Sequence, residues 1–276
     1  MTRILTIQDI SCVGQCSLTV ALPIISACGI ETSILPSAVL STHTASGFSG
    51  YSFRDLTDDM PSINQHWLNE GINFDALYTG YLGSTKQIEY VINIMNTTLK
   101  PEGLVIVDPA MADFGSLYPG FNNTFVEDMK KLCSKADIIL PNITEASLLT
   151  GIEYKEVYDE AYISELLEGL KKLGCKNIVL TGVSYDPSST GVLAYNGEDV
   201  QYYKHKKIDK GCHGTGDIFA SSFVGAYLNG KPMIDAAKIA ANYCLACIEN
   251  TINDPAHWYG VKFEPVLPQL IKDIYK

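Results

Sequence analysis

The run Gly211-Cys212-His213-Gly214-Thr215-Gly216-Asp217 leads straight into the apolar stretch Ile218-Phe219-Ala220-Ser221-Ser222-Phe223. Glycines let backbone N–H groups converge with no side chain in the way. A helix starting here adds unpaired N–H donors and a partial positive charge. Gly214, Thr215 and Gly216 are therefore candidates for an anion hole, suited to a phosphoryl group in transit. Asp217 stands at its mouth. A carboxylate would repel phosphate, so its fitting chemistry is that of a base taking the proton of an attacking hydroxyl. Taken alone, Gly-Thr-Gly-Asp reads more simply as helix capping. The polar residues that recur at other predicted strand ends tip the balance toward chemistry.

Those strand ends follow from the pattern of the chain. Short apolar runs at 4–8, 32–35, 76–79, 104–108, 137–140 and 177–181 alternate with helical stretches near 18–28, 84–98, 122–133 and 158–173. This rhythm predicts an α/β fold, a mostly parallel sheet with helices on both faces. Right-handed crossovers then place the strand C-termini on one edge, where ligands bind in open sheets. That edge carries Asp9, Gly80-Tyr81, Asp108-Pro109, Pro141-Asn142 and Thr181-Gly182. Beyond Thr181 an antiparallel pair, 191–195 and 200–205, is expected around Asn196-Gly197. Helices at 217–228, 232–250 and 264–275 complete the chain. The Ser-, Thr- and Gly-rich segment 41–59 reads as a functional loop or small flap. With no repeat, linker or low-complexity tract, residues 1–276 read as one domain.

Composition limits the partners. The 276 residues are 46% hydrophobic and 18% charged, with a formal net charge of −11. Such a surface repels nucleic acid and anionic lipid, and an anionic substrate would need backbone N–H groups, a metal ion or both. Gln8 and Asp9 interrupt the start before a signal-peptide core forms, no stretch has the length of a membrane span, and the eight cysteines are scattered, so a reduced, cytoplasmic chain is expected. Cys244-x-x-Cys247 lies in an apolar helix without a second ligand pair and reads as packing. No Walker A sequence is present, and Gly211-x-x-Gly214-x-Gly216 fails the dinucleotide fingerprint.

Together, Gly214-Thr215-Gly216-Asp217, Pro141-Asn142-Ile143-Thr144-Glu145, Asp108-Pro109 and Gly80-Tyr81-Leu82-Gly83-Ser84 resemble the ribokinase-like superfamily over nearly the whole chain. Thr79-Gly80-Tyr81-Leu82-Gly83-Ser84 and Ser41-Thr42-His43-Thr44 resemble its pyridoxal (pyridoxine, pyridoxamine) kinase branch. The resemblance implies a three-layer fold and transfer of phosphoryl from ATP to the 5′-hydroxymethyl group of a B6 vitamer. It makes Asp217 the base and Gly214, Thr215 and Gly216 the anion hole. It puts Asp108, Asp113, Asn142, Glu145 and Thr181 around the nucleotide, with Asp108 and Glu145 as donors to Mg²⁺ or another divalent ion. Thr44, Tyr81 and His43 would line the pyridine pocket. K⁺ is a further candidate cofactor, and relatives are commonly homodimers. Asp9 is a departure: pyridoxal kinases commonly carry Ser after the first-strand Gln. A carboxylate there could pair with a protonated ring nitrogen or with the amine of pyridoxamine. Ala112 stands for the usual Gly, and Thr181-Gly182 replaces the pairs of some relatives. A hydroxymethylpyrimidine or sugar kinase of the same superfamily, or a non-catalytic nucleotide- or vitamin-binding protein, are the rivals. Sugar kinases usually carry a Gly-Gly that Gly14-Gln15 lacks, and hydroxymethylpyrimidine kinases often have Cys at the position of Asp217.

Overall fold

A computed structural model describes residues 1–44, 47–208 and 212–276. Its main sheet is built from β1 (Arg3–Ser11), β2 (Glu31–Leu40), β3 (Phe53–Asp55), β4 (Phe74–Thr79), β5 (Leu99–Val107), β8 (Ile138–Ile139), β9 (Asn177–Val183), β10 (Ser189–Tyr195) and β11 (Val200–Lys206). The order across the sheet is β11-β10-β9-β8-β5-β4-β1-β2-β3. The six strands from β9 to β2 are parallel neighbours, and the antiparallel strands β10, β11 and β3 occupy the two edges. A two-residue-per-strand hairpin, β6 (Ala112–Asp113) and β7 (Ser116–Leu117), stands apart.

Alternate residues of each buried strand feed opposite faces. Leu5, Ile7, Leu77, Val105, Val107, Ile139, Ile178 and Leu180 join one core, with α3 (Thr85–Thr97), α4 (Asn123–Cys133), α5 (Ile143–Thr150) and α6 (Glu160–Lys172). Ile4, Ala76, Tyr78, Ile106, Ile138 and Val179 join the other, with α1 (Leu18–Ala27), α7 (Thr215–Leu228), α8 (Met233–Thr251) and α9 (Leu267–Ile274). The predicted three layers are therefore present. Helix α2 (Met60–Asn69) and strand β3 carry no sequence pattern that predicts them. The chain from Asp9 to Ser11, expected as loop, continues β1 past a register shift between Gln8 and Ile10. The expected flap keeps an irregular portion but ends in β3 on the sheet edge.

Strand β1 has β2 on one side and β4 on the other, so the chain reverses its direction of winding there. Such a point leaves a crevice beyond the strand C-termini. Among the described residues no helix is long and apolar enough to cross a membrane.

Candidate active site

Helix α7 points its first turn into the crevice. Gly214 precedes it in the left-handed region, with φ 79°. A Cβ there would lie 1.7 Å from the Gln15 carbonyl oxygen, so glycine is what lets the β1–α1 connection press against the helix start. A Cβ on Gly216 would meet nothing within 4 Å, so this side of the helix start is open. The Thr215 hydroxyl donates to the Cys212 carbonyl at 3.4 Å. The N–H groups of this turn have no acceptor within the helix. Gly211, the first glycine of the sequence pattern, lies outside the described residues.

Asp217 is half-buried. Burial pushes its carboxyl up to about 7; the Ser17 N–H works against the rise, and the Asp9 and Asp113 carboxyls add to it. Tyr78 lies fully buried below, where both Asp108 and Asp217 act on its phenol. Asp108, which follows the central strand β5, and Asp217, in the first turn of α7, thus lie near the same buried phenol.

Across the crevice Asp108 follows β5, its N–H donating to the Thr79 carbonyl at 2.9 Å. One of its carboxylate oxygens accepts from the Ala110 N–H at 3.2 Å. Burial raises this carboxyl well above the usual range, and Glu145, Asp217 and Asp113 raise it further. Glu145 is buried in the first turn of α5. It accepts the Asn142 N–H at 2.9 Å and the Met111 N–H at 3.1 Å, while its own N–H donates to the Asn142 side chain at 2.9 Å. This is a reciprocal capping box. Burial pushes Glu145 up to about 7 against the pull of these donors. The Asn142 amide also donates to the Ala112 carbonyl at 2.8 Å and to Asp113 at 3.0 Å. Tyr118 donates to the other oxygen of Asp113 at 2.6 Å. Thr181 is joined to this corner by its N–H, which donates to the Pro141 carbonyl at 2.9 Å.

The donor set fits a hydrated divalent cation. Asp108 keeps an oxygen without a backbone partner, whereas each oxygen of Glu145 already holds one N–H group and has a single lone pair left for a cation or its water. Among the described residues no group of three acidic, His or Cys side chains closes a metal site by itself. One or two carboxylates completed by phosphates and water is the arrangement Mg²⁺ favours.

The third wall lies at the end of β1. Asp9 is buried, bonded by the Ser11 hydroxyl at 3.1 Å. Burial raises its carboxyl; the Ser17 and Ser11 hydroxyls and the nearby His43 oppose that rise. Tyr81 faces Asp9, Tyr51 and Asp55, and burial pushes its phenol up to about 12. Its ring stacks on Phe121 at 5.5 Å. His43 is buried, with Nε2 2.8 Å from the Tyr259 carbonyl and its ring 4.9 Å from Phe48 and 5.3 Å from His213. Thr44 is exposed on the same loop, whose next two residues lie outside the described set. Asp9, Asp108, Asp113, Glu145 and Asp217 therefore lie close enough to act on one another, with Asn142, Thr181, Tyr81 and His43 joined to them by the contacts above; Thr44 makes no described contact with them. Ser17, Tyr51, Phe121 and Tyr259 neighbour these residues and Tyr78 lies buried beneath them, and no local pattern in the sequence marks any of the five.

The sequence model of phosphomethylpyrimidine kinase matches residues 39–260, most of the chain. The chain belongs to the phosphomethylpyrimidine kinase family. Within the wider ribokinase-like fold, this family member is similar to a Bacteroides thetaiotaomicron protein assigned as a phosphomethylpyrimidine kinase and crystallised with pyridoxal. The two are 35% identical, the match covers 98% of this chain and 95% of that one, and the TM-score is 0.91. Pyridoxal kinase from Lactobacillus plantarum is 30% identical, with 99% and 97% of the two chains covered and a TM-score of 0.90. The hydroxymethylpyrimidine/phosphomethylpyrimidine kinase of Haemophilus influenzae is 30% identical over 180 residues, 63% of this family member and 65% of that protein.

Proposed function

We propose that this kinase-family protein transfers the γ-phosphoryl group of ATP to the 5′-hydroxymethyl group of a B6 vitamer. The observation that carries the reading is Asp217, a carboxyl pushed up to about 7 at the start of a helix whose N–H groups open on the crevice. A base of that strength is matched to a hydroxyl proton near neutral pH. The vitamer ring sits between Asp9, Tyr81 and His43, with its hydroxymethyl group toward Asp217. Asp217 accepts the hydroxyl proton as the oxygen bonds to phosphorus and the bond to the ADP oxygen breaks. The N–H groups of Gly214, Thr215 and Gly216 hold the oxygens of the transferring group. Asp108, with Glu145 through water, would hold a divalent cation, which supplies the positive charge this acidic crevice lacks. Asn142, Asp113 and Thr181 border the nucleotide side.

The pyridoxal-bound relative and the pyridoxal kinase at 30% identity support the vitamer. Phosphorylation of hydroxymethylpyrimidine is the second reading, favoured by the matching family and by the Haemophilus influenzae relative. ATP consumption against pyridoxal, pyridoxamine, pyridoxine and hydroxymethylpyrimidine in parallel decides between them. The vitamers are expected to lead by about tenfold or more in kcat/KM; a preference for the pyrimidine overturns the reading.

Asp9 sets the ranking among vitamers. Its Ser11 and Ser17 donors favour the ionised form, which suits a cationic ring nitrogen or amine. Asp9→Ser is expected to cost pyridoxamine about tenfold more in kcat/KM than pyridoxine, as for a lost hydrogen bond between charged groups. An unchanged ranking removes Asp9 from substrate selection.

A further inference from the structure

Tyr118-Pro119-Gly120-Phe121 closes as a type II turn: proline second, glycine third with φ 93°, and the Phe121 N–H donating to the Tyr118 carbonyl at 3.2 Å. Both ends of the turn are anchored. The Tyr118 N–H donates to the Met111 carbonyl at 2.8 Å, and its hydroxyl donates to Asp113 at 2.6 Å. Just past Phe121, the Asn122 side chain caps α4 by accepting the Thr124 and Phe125 N–H groups at 3.0 and 3.2 Å. The Phe121 ring lies 3.9 Å from the buried Phe125 ring and 8° from parallel to it. Rings left to themselves prefer offset or edge contacts, with centroids roughly 4.5–7 Å apart. A sandwich this close is set by the backbone on either side of Phe121. Phe121 also stacks on Tyr81, at 5.5 Å and 29°. The main chain around Tyr81 is held separately. Its carbonyl accepts the Ser37 hydroxyl at 3.3 Å, and the Gly83 N–H donates to the fully buried Gln87 side chain at 2.7 Å. The Gln87 amide in turn donates to the Ser37 carbonyl at 3.0 Å and the Thr57 hydroxyl at 2.9 Å. Among the described residues, Phe121 is the one aromatic ring against Tyr81.

We propose that Phe121 is a positioning residue for Tyr81: it holds that ring at the angle at which a flat heteroaromatic substrate ring stacks against it. A loose tyrosine side chain would have its torsions frozen on binding, at a cost in affinity. Here a turn and a capped helix freeze them beforehand. Because Met111 and Asp113 carry the start of that turn, the acidic wall and the ring wall stand on one bonded segment. The purpose rests on the kinase reading, whereas the contact does not. If Phe121 served only to cover α4, Tyr81 would be indifferent to its loss.

Labelling with 3-fluorotyrosine gives each tyrosine a ¹⁹F resonance, and the one lost in Tyr81→Phe belongs to Tyr81. In the ligand-free protein, Phe121→Ala is expected to move this resonance. Calorimetry with pyridoxal is expected to give a Kd roughly three- to tenfold weaker in that variant, with the Kd for ATP unchanged within about twofold. The loss runs through Tyr81, so Phe121→Ala added to Tyr81→Ala weakens pyridoxal no further. Phe121→Tyr keeps a flat ring and is expected to restore both the Kd and the Tyr81 resonance. Gly120→Ala leaves the Phe121 ring intact, and its new Cβ meets nothing within 4 Å, but the positive φ strains the turn. It is expected to move the same resonance, and it replaces Phe121→Ala as the test if that variant does not fold. A Tyr81 resonance that stays in place in the folded variant overturns the proposal. So does an equal loss of pyridoxal affinity with and without the Tyr81 ring. If the wild type neither binds pyridoxal nor turns over any hydroxymethyl substrate, the kinase reading fails, and the ligand-free resonance still decides whether Phe121 holds Tyr81.

Discussion

Asp217→Asn is expected to lose about a thousandfold or more in kcat while nucleotide affinity stays within a fewfold of wild type. The amide keeps the shape of the carboxyl, but it cannot take a proton. The same substitution should stabilise the ligand-free protein at pH 8. Burial lifts Asp217 from 3.8 to about 7, and Glu145 from 4.5 to about 7. Between roughly pH 4 and 7 the folded chain then holds more protons than the unfolded chain, so stability falls as pH climbs through that window. Removing one of the ionising groups flattens the fall. Relief of roughly 1 kcal/mol moves the melting temperature of a domain this large by about 2 °C. Melting curves at pH 5 and pH 8 check it. Near-normal kcat in Asp217→Asn would remove the residue from the mechanism, and an unchanged pH dependence of melting would contradict its burial.

Glu145→Ala has the largest expected effect on folding. Its carboxylate accepts backbone N–H groups from Asn142 and Met111, which belong to two separate segments. Truncation leaves these donors buried without acceptors, each at about 1–3 kcal/mol. The loss should come to about 2–6 kcal/mol and free the β6–β7 hairpin from α5, carrying Asp113 away from Asn142. Urea unfolding gives the stability, and amide exchange at Met111 and Ala112 locates the damage. Glu145→Gln preserves one acceptor oxygen and should fall between the two. If Glu145→Ala unfolds at the wild-type urea concentration, those N–H groups have another partner and the capping box is not what docks the hairpin.

The parts legible in the sequence were those with a local signal. Buried parallel strands show as short apolar runs, and β4 and β9 were expected within a few residues of where they lie. Helices α3, α4 and α6 carry an apolar stripe at helical spacing and were found nearly to their ends. By contrast, α2 buries only Met60 and Asn64, so it offers almost no stripe. Helix α5 is buried nearly all round, which erases periodicity and leaves its cap as the sole sign. Strand β3 is three exposed residues held by pairing with β2. Asp9-Ile-Ser looked like loop because its polar residues face the crevice, beyond the register shift where β1 would otherwise turn them into the core.

The site divided in the same way. Gly214, Asp217, Asp108 and Asn142-x-x-Glu145 announce themselves as turn and cap residues at strand ends. Ser17 does not, because a serine before a helix reads as an ordinary cap, and only the structure shows its positive φ and the lack of a side-chain cap bond. Tyr78 looked like strand core, and only the fold brings its hydroxyl end beneath two acids. Tyr259 reaches His43 across most of the chain length, a relation no local pattern encodes.

The crowding of carboxyls has a consequence for how the crevice fills. With Asp108, Glu145 and Asp217 all raised, the empty protein near neutral pH is a reservoir of exchangeable hydrogen ions. Docking a triphosphate with its divalent counter-ion favours the ionised acids and expels those ions into the medium. Nucleotide affinity should therefore tighten as the solution becomes more alkaline across pH 6–8, and the calorimetric heat of binding should differ between phosphate and Tris in proportion to the protons each buffer absorbs.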